Sequence, residues 1–162
     1  MSAWDGTGEV GERTSGEVLI VDDDASIRTM LAFVFDDAGY TVIEAADGAE
    51  ALEVLRTDPP ALMVLDLMMP MVDGVEVLRQ RERDGLAAGT RILVLTAKLD
   101  TEDAVWCWEL GADEYLTKPV DPDRLAREVR LLLDRTPEEL RHRRDVGLAD
   151  ARERDRIERA FG

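Results

Sequence analysis

The stretch that decides the fold is "ALMVLDLMMP", residues 61–70. Ala61 to Leu65 form an apolar run, a single carboxylate stands at Asp66, and Leu67, Met68, Met69 and Pro70 follow. A run of this length, bounded by Pro59-Pro60 and by Pro70, reads as a short strand buried on both faces. A carboxylate in the middle of such a strand is costly to ionise. At the carboxyl end it can face a crevice instead, which is where open α/β sheets hold their ligands. Taken alone, Asp66 could equally cap or turn the loop before Pro70. The flanking sequence has to decide.

On both sides of this run the chain alternates between strand and helix patterns. "VLIV" (18–21) is a short β-branched run, and "DDDASIRTMLAFVFDDAG" follows, with Ile27, Met30, Leu31, Val34 and Phe35 at helical spacing and Gly39 as a stop. "YTVIEA" (40–45) is a strand pattern, and "DGAEALEVLRTD" (47–58) puts Ala51, Leu52 and Leu55 on one helical face. After the strand ending at Asp66 come a helix over 73–85, a strand "RILVLT" over 91–96 and a helix over 101–111. A strand "DEYLT" (113–117) and a helix over 121–135, with Pro122 in its first turn, complete the pattern. Five β-α units in succession predict a parallel sheet with helices on both faces. Right-handed crossovers favour the flavodoxin-like order 2-1-3-4-5, with the ligand site between strands 1 and 3.

The bulk composition agrees with one ordinary domain. The chain has 162 residues, and no apolar run approaches a membrane-spanning length. Residues 1–16 are rich in Gly, Ser, Thr and Glu and are expected to be disordered, with neither the basic nor the apolar part of a signal peptide. Cys107 is the single cysteine, which excludes an internal disulfide and a cysteine metal cage, and the cytoplasm is the expected compartment. A formal net charge of −16 opposes binding to nucleic acid or to an anionic membrane.

The expected topology gives Asp66 company. Strand 1 ends "IVDDD", so Asp22 and Asp23 converge on it. Three carboxylates in one crevice repel one another unless a cation joins them. A hard cation with oxygen ligands suits the set, and Mg²⁺ (or Mn²⁺) suits a site with few carboxylates and several waters. Strand 4 ends at Thr96, a hydroxyl, and strand 5 is followed by Lys118-Pro119, an ammonium on a long stem. Carboxylates, a divalent cation, a hydroxyl and an ammonium around one crevice can stabilise a phosphoryl group.

Over roughly residues 17–135 the chain resembles the receiver domains of bacterial two-component response regulators, on the motifs "VLIVDDD", "VLDLMMPMVDG", "LVLTAK" and "LGADEYLTKP". The resemblance implies that Asp66 accepts a phosphoryl group from the phosphohistidine of a sensor histidine kinase or phosphotransfer protein. It also implies that Asp22, Asp23, Asp66 and the backbone carbonyl of Met68 hold the metal, and that Thr96 and Lys118 contact the phosphoryl oxygens. Tyr115 falls at the aromatic switch that moves with Thr96, and Lys118-Pro119 matches a peptide bond usually cis in the family. Met68 and Lys98 fall at positions that tune self-dephosphorylation. A bulky thioether and a long cation there predict a slow loss of the phosphoryl group. Such a domain signals and turns over no external substrate. A phosphohydrolase of the haloacid-dehalogenase kind is disfavoured, because it wants a second acid where Met68 stands.

By the same resemblance, the output face is helix 4, strand 5 and helix 5, acting on a downstream protein that the residues do not name. Ala104, and Arg124 followed by Glu128, depart from the charge pattern through which winged-helix receivers dimerise, which puts the usual homodimer in doubt. Trp106 and Trp108 cannot share a helical face, so one is expected in the core and the other exposed. The tail, residues 136–162, is too short for a DNA-binding domain; it begins as a helix at Thr136-Pro137 and carries a broken stripe of Leu140, Leu148, Ala151, Ile157 and Phe161. Gly147 weakens that helix pattern. Seven arginines balanced by seven acids disfavour nucleic acid, and His142 reads as a solvated helix residue. The tail can pack back on the domain, pair with another copy, stay solvated, or lead into the output domain of a larger regulator.

Overall fold

The computed structural model describes residues 16–97 and 100–162. Five parallel strands, β1 (Glu17–Val21), β2 (Thr41–Ala45), β3 (Leu62–Leu65), β4 (Arg91–Thr96) and β5 (Glu114–Thr117), form one sheet in the order β2-β1-β3-β4-β5. The connections are α1 (Ala25–Asp37), α2 (Gly48–Thr57), α3 (Gly74–Asp84) and α4 (Thr101–Glu109), with α5 (Pro122–Asp134) after β5 and a long α6 (Pro137–Phe161) closing the chain. This is the flavodoxin-like order expected from the sequence, with an additional C-terminal helix. No helix of the described residues is long and apolar enough to cross a membrane.

Every strand that reads as apolar throughout is buried on both faces. In β1, Val18 and Ile20 pack with Phe35 of α1 and Leu125, Val129 and Leu132 of α5; Leu19 and Val21 pack on the opposite face with α2 and α3. The same alternation runs through Leu62 to Leu65 of β3 and Ile92 to Leu95 of β4. Each such side chain, withdrawn fully from water, contributes about 1.5–3 kcal/mol before the entropy of ordering it is counted.

Helix starts explain where many of the aspartates are used. Asp24, Asp47, Asp73, Asp100 and Asp121 are the N-caps of α1 to α5, each accepting a backbone N–H of the first turn. Thr136 and Glu139 form a reciprocal capping box at the start of α6. Every βα loop therefore delivers a carboxylate to the carboxyl end of the sheet. Capping uses one from each loop, and the carboxylates left over at the ends of β1 and β3 make the site.

On α1 the periodicity holds only in part. Leu31 and Phe35 are buried, but Met30 is 48% exposed and the neighbouring Phe33 73%. Phe35 meets Tyr40 edge-on at 6.4 Å, which closes the turn into β2.

Candidate functional site

The site lies where β1 and β3 end side by side. The register Val21↔Leu65 makes Asp22 and Asp66 the next residues of adjacent strands, and Asp66 N donates to Val21 O at 3.0 Å. Each aspartate is thus fixed by its strand, and both are buried. Asp23 is exposed, and carboxylate oxygens of Asp22, Asp23 and Asp66 all lie within 4.8 Å of one another. Three hard oxygen donors this close fit a hard divalent cation, and among the described residues no cysteine or histidine joins the group.

Lys118 enters from the far side. β5 is in register with β4 through Thr96↔Thr117, and Lys118 N donates to Thr96 O at 2.9 Å, which anchors the lysine at the sheet end. Its Nζ lies 2.7 Å from Asp22 Oδ2 and 3.3 Å from Asp66 Oδ2. Burial works against the ammonium, but the hydrogen bond to Asp22 and the charges of Asp66 and Asp22 outweigh it and raise its pKa above the ordinary 10.5. The Lys118-Pro119 peptide bond is cis. Thr96 is fully buried at the end of β4, one strand from Asp66.

The remaining oxygens are held by the backbone. Asp66 Oδ1 accepts from Met68 N at 3.1 Å, and Asp22 Oδ1 from Asp24 N at 2.9 Å. One oxygen of Asp66 is thereby fixed, while the other faces the ammonium. The Met68 side chain is 55% exposed beside it; Lys98, the other residue read as tuning the phosphoryl lifetime, lies outside the described residues. Tyr115 is half-buried in β5, and burial, followed by the charges of Cys107, Asp103 and Asp100, pushes its phenol far above the ordinary range.

Two residues that build the pocket were not singled out from the sequence. Arg28 of α1 donates from Nη1 to Asp22 O at 2.6 Å and pairs with Glu44 at the end of β2, which fixes the carbonyl behind the first carboxylate. Gly74 opens α3 directly against the turn after Asp66: a Cβ there would stand 2.5 Å from Asp66 O and 2.7 Å from Leu67 Cα. The Asp73-Gly74 pair in the sequence was the available signal for it, an N-cap followed by a residue whose backbone must approach closely. Met71, in the loop between, holds the left-handed region at φ 65°, which is uncommon for a side chain of its size.

An open, doubly wound parallel sheet with acids, a hydroxyl and a lysine at its carboxyl end defines a class of small α/β domain that handles a charged ligand at the strand ends. The family model for the response regulator receiver domain matches residues 18–130. The chain is 44% identical over 120 residues to the alkaline phosphatase synthesis transcriptional regulatory protein PhoP of Bacillus subtilis, a match covering 74% of this chain and 49% of that protein. It is 42% identical over 122 residues to the DNA-binding response regulator MtrA of Mycolicibacterium paratuberculosis, covering 75% and 53%. Among solved structures, the receiver domain protein (CheY-like) of Methanospirillum hungatei superposes with a TM-score of 0.70 at 29% identity, over 74% of this chain and 94% of that one. The chemotaxis protein CheY4 of Vibrio cholerae gives 0.68 at 33%, over 73% and 98%. The chain belongs to the response-regulator receiver family. It spans about half the length of the curated relatives it matches.

Proposed function

We propose that Asp66 is the phosphoacceptor of a phosphorelay, taking its phosphoryl group from the phosphohistidine of a sensor kinase or phosphotransfer protein. The observation that carries the reading is the sharing of one ammonium, Lys118, between two buried carboxylates with a third alongside. A pocket so short of positive charge favours any group that brings some in. Mg²⁺ or Mn²⁺ held by Asp22, Asp23, Asp66 and the Met68 carbonyl would supply charge to offset the repulsion between Asp66 and an incoming phosphate. In the transfer, a carboxylate oxygen of Asp66 bonds to phosphorus as the phosphorus–nitrogen bond breaks, and the electron pair returns to the donor imidazole. Lys118 moves its hydrogen bonds onto the phosphoryl oxygens, the Thr96 hydroxyl adds another, and Tyr115 responds to the displacement of Thr96. The output is contact with a further protein. The cytoplasm suits this exchange and the single, buried thiol of Cys107.

Direct nucleic-acid contact is not part of this reading, because Arg143, Arg144, Arg152, Arg154, Arg156 and Arg159 of α6 all face acidic partners. A second reading, a receiver coupled through α6 to an output domain, is favoured by the greater length of the transcriptional regulators among its relatives.

The test is intact mass after incubation with Mg²⁺ and acetyl phosphate. One phosphoryl adduct is expected on the wild type, and none on Asp66→Asn or without a divalent cation. An adduct that persists in Asp66→Asn would overturn the assignment. The Met68 thioether beside the pocket obstructs the approach of water and gives a long-lived adduct. Met68→Ala is expected to shorten its lifetime several-fold, and an unchanged decay would remove Met68 from that role.

A further inference from the structure

The C-terminal helix lies against α4 and the start of β5, on the output face implied by the resemblance. Leu140, in its first turn, is buried in the domain core with Leu125, Val129 and Leu132; beyond it the seat is built from charge pairs around the Trp108 ring, with Ala151 buried alongside. Arg144 reaches the buried Asp113 at 2.5 Å, Arg143 pairs with the buried Glu114, and Arg152 reaches Glu109 at 2.6 Å. At the other end Thr101 Oγ1 lies 2.9 Å from carboxylate oxygens of both Asp155 and Glu158. Between them the Trp108 ring lies flush against Gly147, where a Cβ would stand 2.5 Å from Cζ2. Trp108 joins neither core cluster of the domain; α6 is what covers it. Gly147, which weakens the helix pattern in the sequence, is the residue that lets the helix dock.

This seat is lightly packed. A cleft of about 470 Å³ remains between α6 and the sheet edge, lined by Tyr115, Arg143, Gly147 and Ala151 among others. Ile157 is 46% exposed and Phe161 87%, so the distal part of the stripe buries little. Charge pairs at a partly solvated rim each contribute little. Such a helix can be held and still be let go.

The elements that hold it are those that lead out of the acidic pocket. Asp113 precedes and Glu114 opens β5, the strand that leads to Lys118, whose amide N–H donates to Thr96 O. Thr101 starts α4, at the far end of the short loop leaving Thr96. We propose that α6 is a latch over the α4–β5 face, docked when Asp66 is unmodified and released when Asp66 is phosphorylated. The inference rests on the phosphoacceptor reading above. Two effects set its direction. A phosphoryl group adds more than one negative charge beside the loop that carries Thr101. The α6 end facing Thr101 carries Asp155, Glu158 and the negative end of the helix dipole against the cation of Arg159, which is already shared between Asp155 and Glu102 of α4. The new oxygens also recruit Lys118 and Thr96, which draws the ends of β4 and β5 toward the pocket and away from the docked helix.

The experiment is hydrogen exchange of the α6 amides in the full chain, with intact mass read on the same sample after acetyl phosphate and Mg²⁺. Exchange across residues 144–155, beyond the Leu140 anchor, is expected to accelerate tenfold or more in proportion to the phosphorylated fraction. Unchanged or slower exchange in a phosphorylated sample overturns the latch and leaves Asp66 as phosphoacceptor; a sample that takes up no phosphoryl group overturns the phosphoacceptor reading and the trigger with it. Gly147→Leu provides the reverse test, since it opens the seat far from the pocket. By reciprocity of coupled equilibria, it is expected to raise the affinity for beryllofluoride with Mg²⁺ about fivefold or more. An unchanged affinity in a variant whose α6 exchanges freely overturns the coupling.

Discussion

The acidic pocket and the seat of α6 are both built from carboxylates and cations, and they balance charge in opposite ways. In the pocket, Asp22 and Asp66 share Lys118, with Asp23 alongside. At the α6 seat, Glu109, Asp113 and Glu114 are each given their own arginine. An under-neutralised cluster costs folding energy and is ready to take up a cation and rearrange. A neutral set of pairs is a mechanical contact, strong only as far as its packing goes. The contrast separates a cluster poised to bind a cation from one that holds a helix.

Truncations break the comparison most sharply. Phe35→Ala removes a fully buried ring from the domain core and is expected to lower stability by about 3–5 kcal/mol. Trp108→Ala empties the α6 seat alone and is expected to change the main unfolding transition by about 1 kcal/mol or less while α6 loses exchange protection. Denaturant unfolding of both variants checks this, and equal losses would make α6 part of the core.

Lys118→Met sharpens the pocket side. Removing this ammonium should slow phosphorylation by acetyl phosphate about 100-fold, the scale set by losing one charge-stabilising donor. The same change should tighten Mg²⁺ binding, because the lysine and the metal compete for the carboxylates. A variant that binds Mg²⁺ more weakly would show that Lys118 organises the cluster instead of competing for it.

The smallest effect links the two regions through Tyr115. The phenol is pushed up by burial, so the folded chain keeps its proton after the unfolded chain has lost it. Stability from this group is complete below the unfolded value of 10.0 and falls as pH rises past it. Tyr40 is shifted in the same direction, chiefly by burial within the domain, with Arg130 opposing. In Gly147→Leu, ultraviolet titration should show the Tyr115 transition moving down toward 10.0 and that of Tyr40 unmoved. Equal movement of both tyrosines would place the effect in the core.

The pocket was legible in the sequence because its parts are local. Apolar runs stop at a carboxylate after β1 and β3 and at Thr96 in β4, and β5 ends just before Lys118, so topology alone brings Asp22, Asp66, Thr96 and Lys118 to one edge of the sheet. The docking of α6 was not legible. Asp113 and Glu114 look like loop acids until Arg144 and Arg143 arrive from about thirty residues downstream. Gly147 looks like a helix fault until Trp108 lies on it. Arg28 escaped notice for the same reason: its target is a backbone carbonyl, which leaves no trace in side-chain pattern. Local propensity and periodicity carry no information about pairs formed across the fold.

The measurement that bears most directly on the central claim is chemical mapping of the phosphoryl group. Borohydride reduces an acyl phosphate to the alcohol, so an aspartyl phosphate becomes homoserine, which mass spectrometry of the tryptic peptide 57–79 can locate. Conversion confined to Asp66, dependent on both Mg²⁺ and acetyl phosphate, is the predicted result. Conversion at Asp58 or Asp73 of the same peptide, with Asp66 intact, would contradict it.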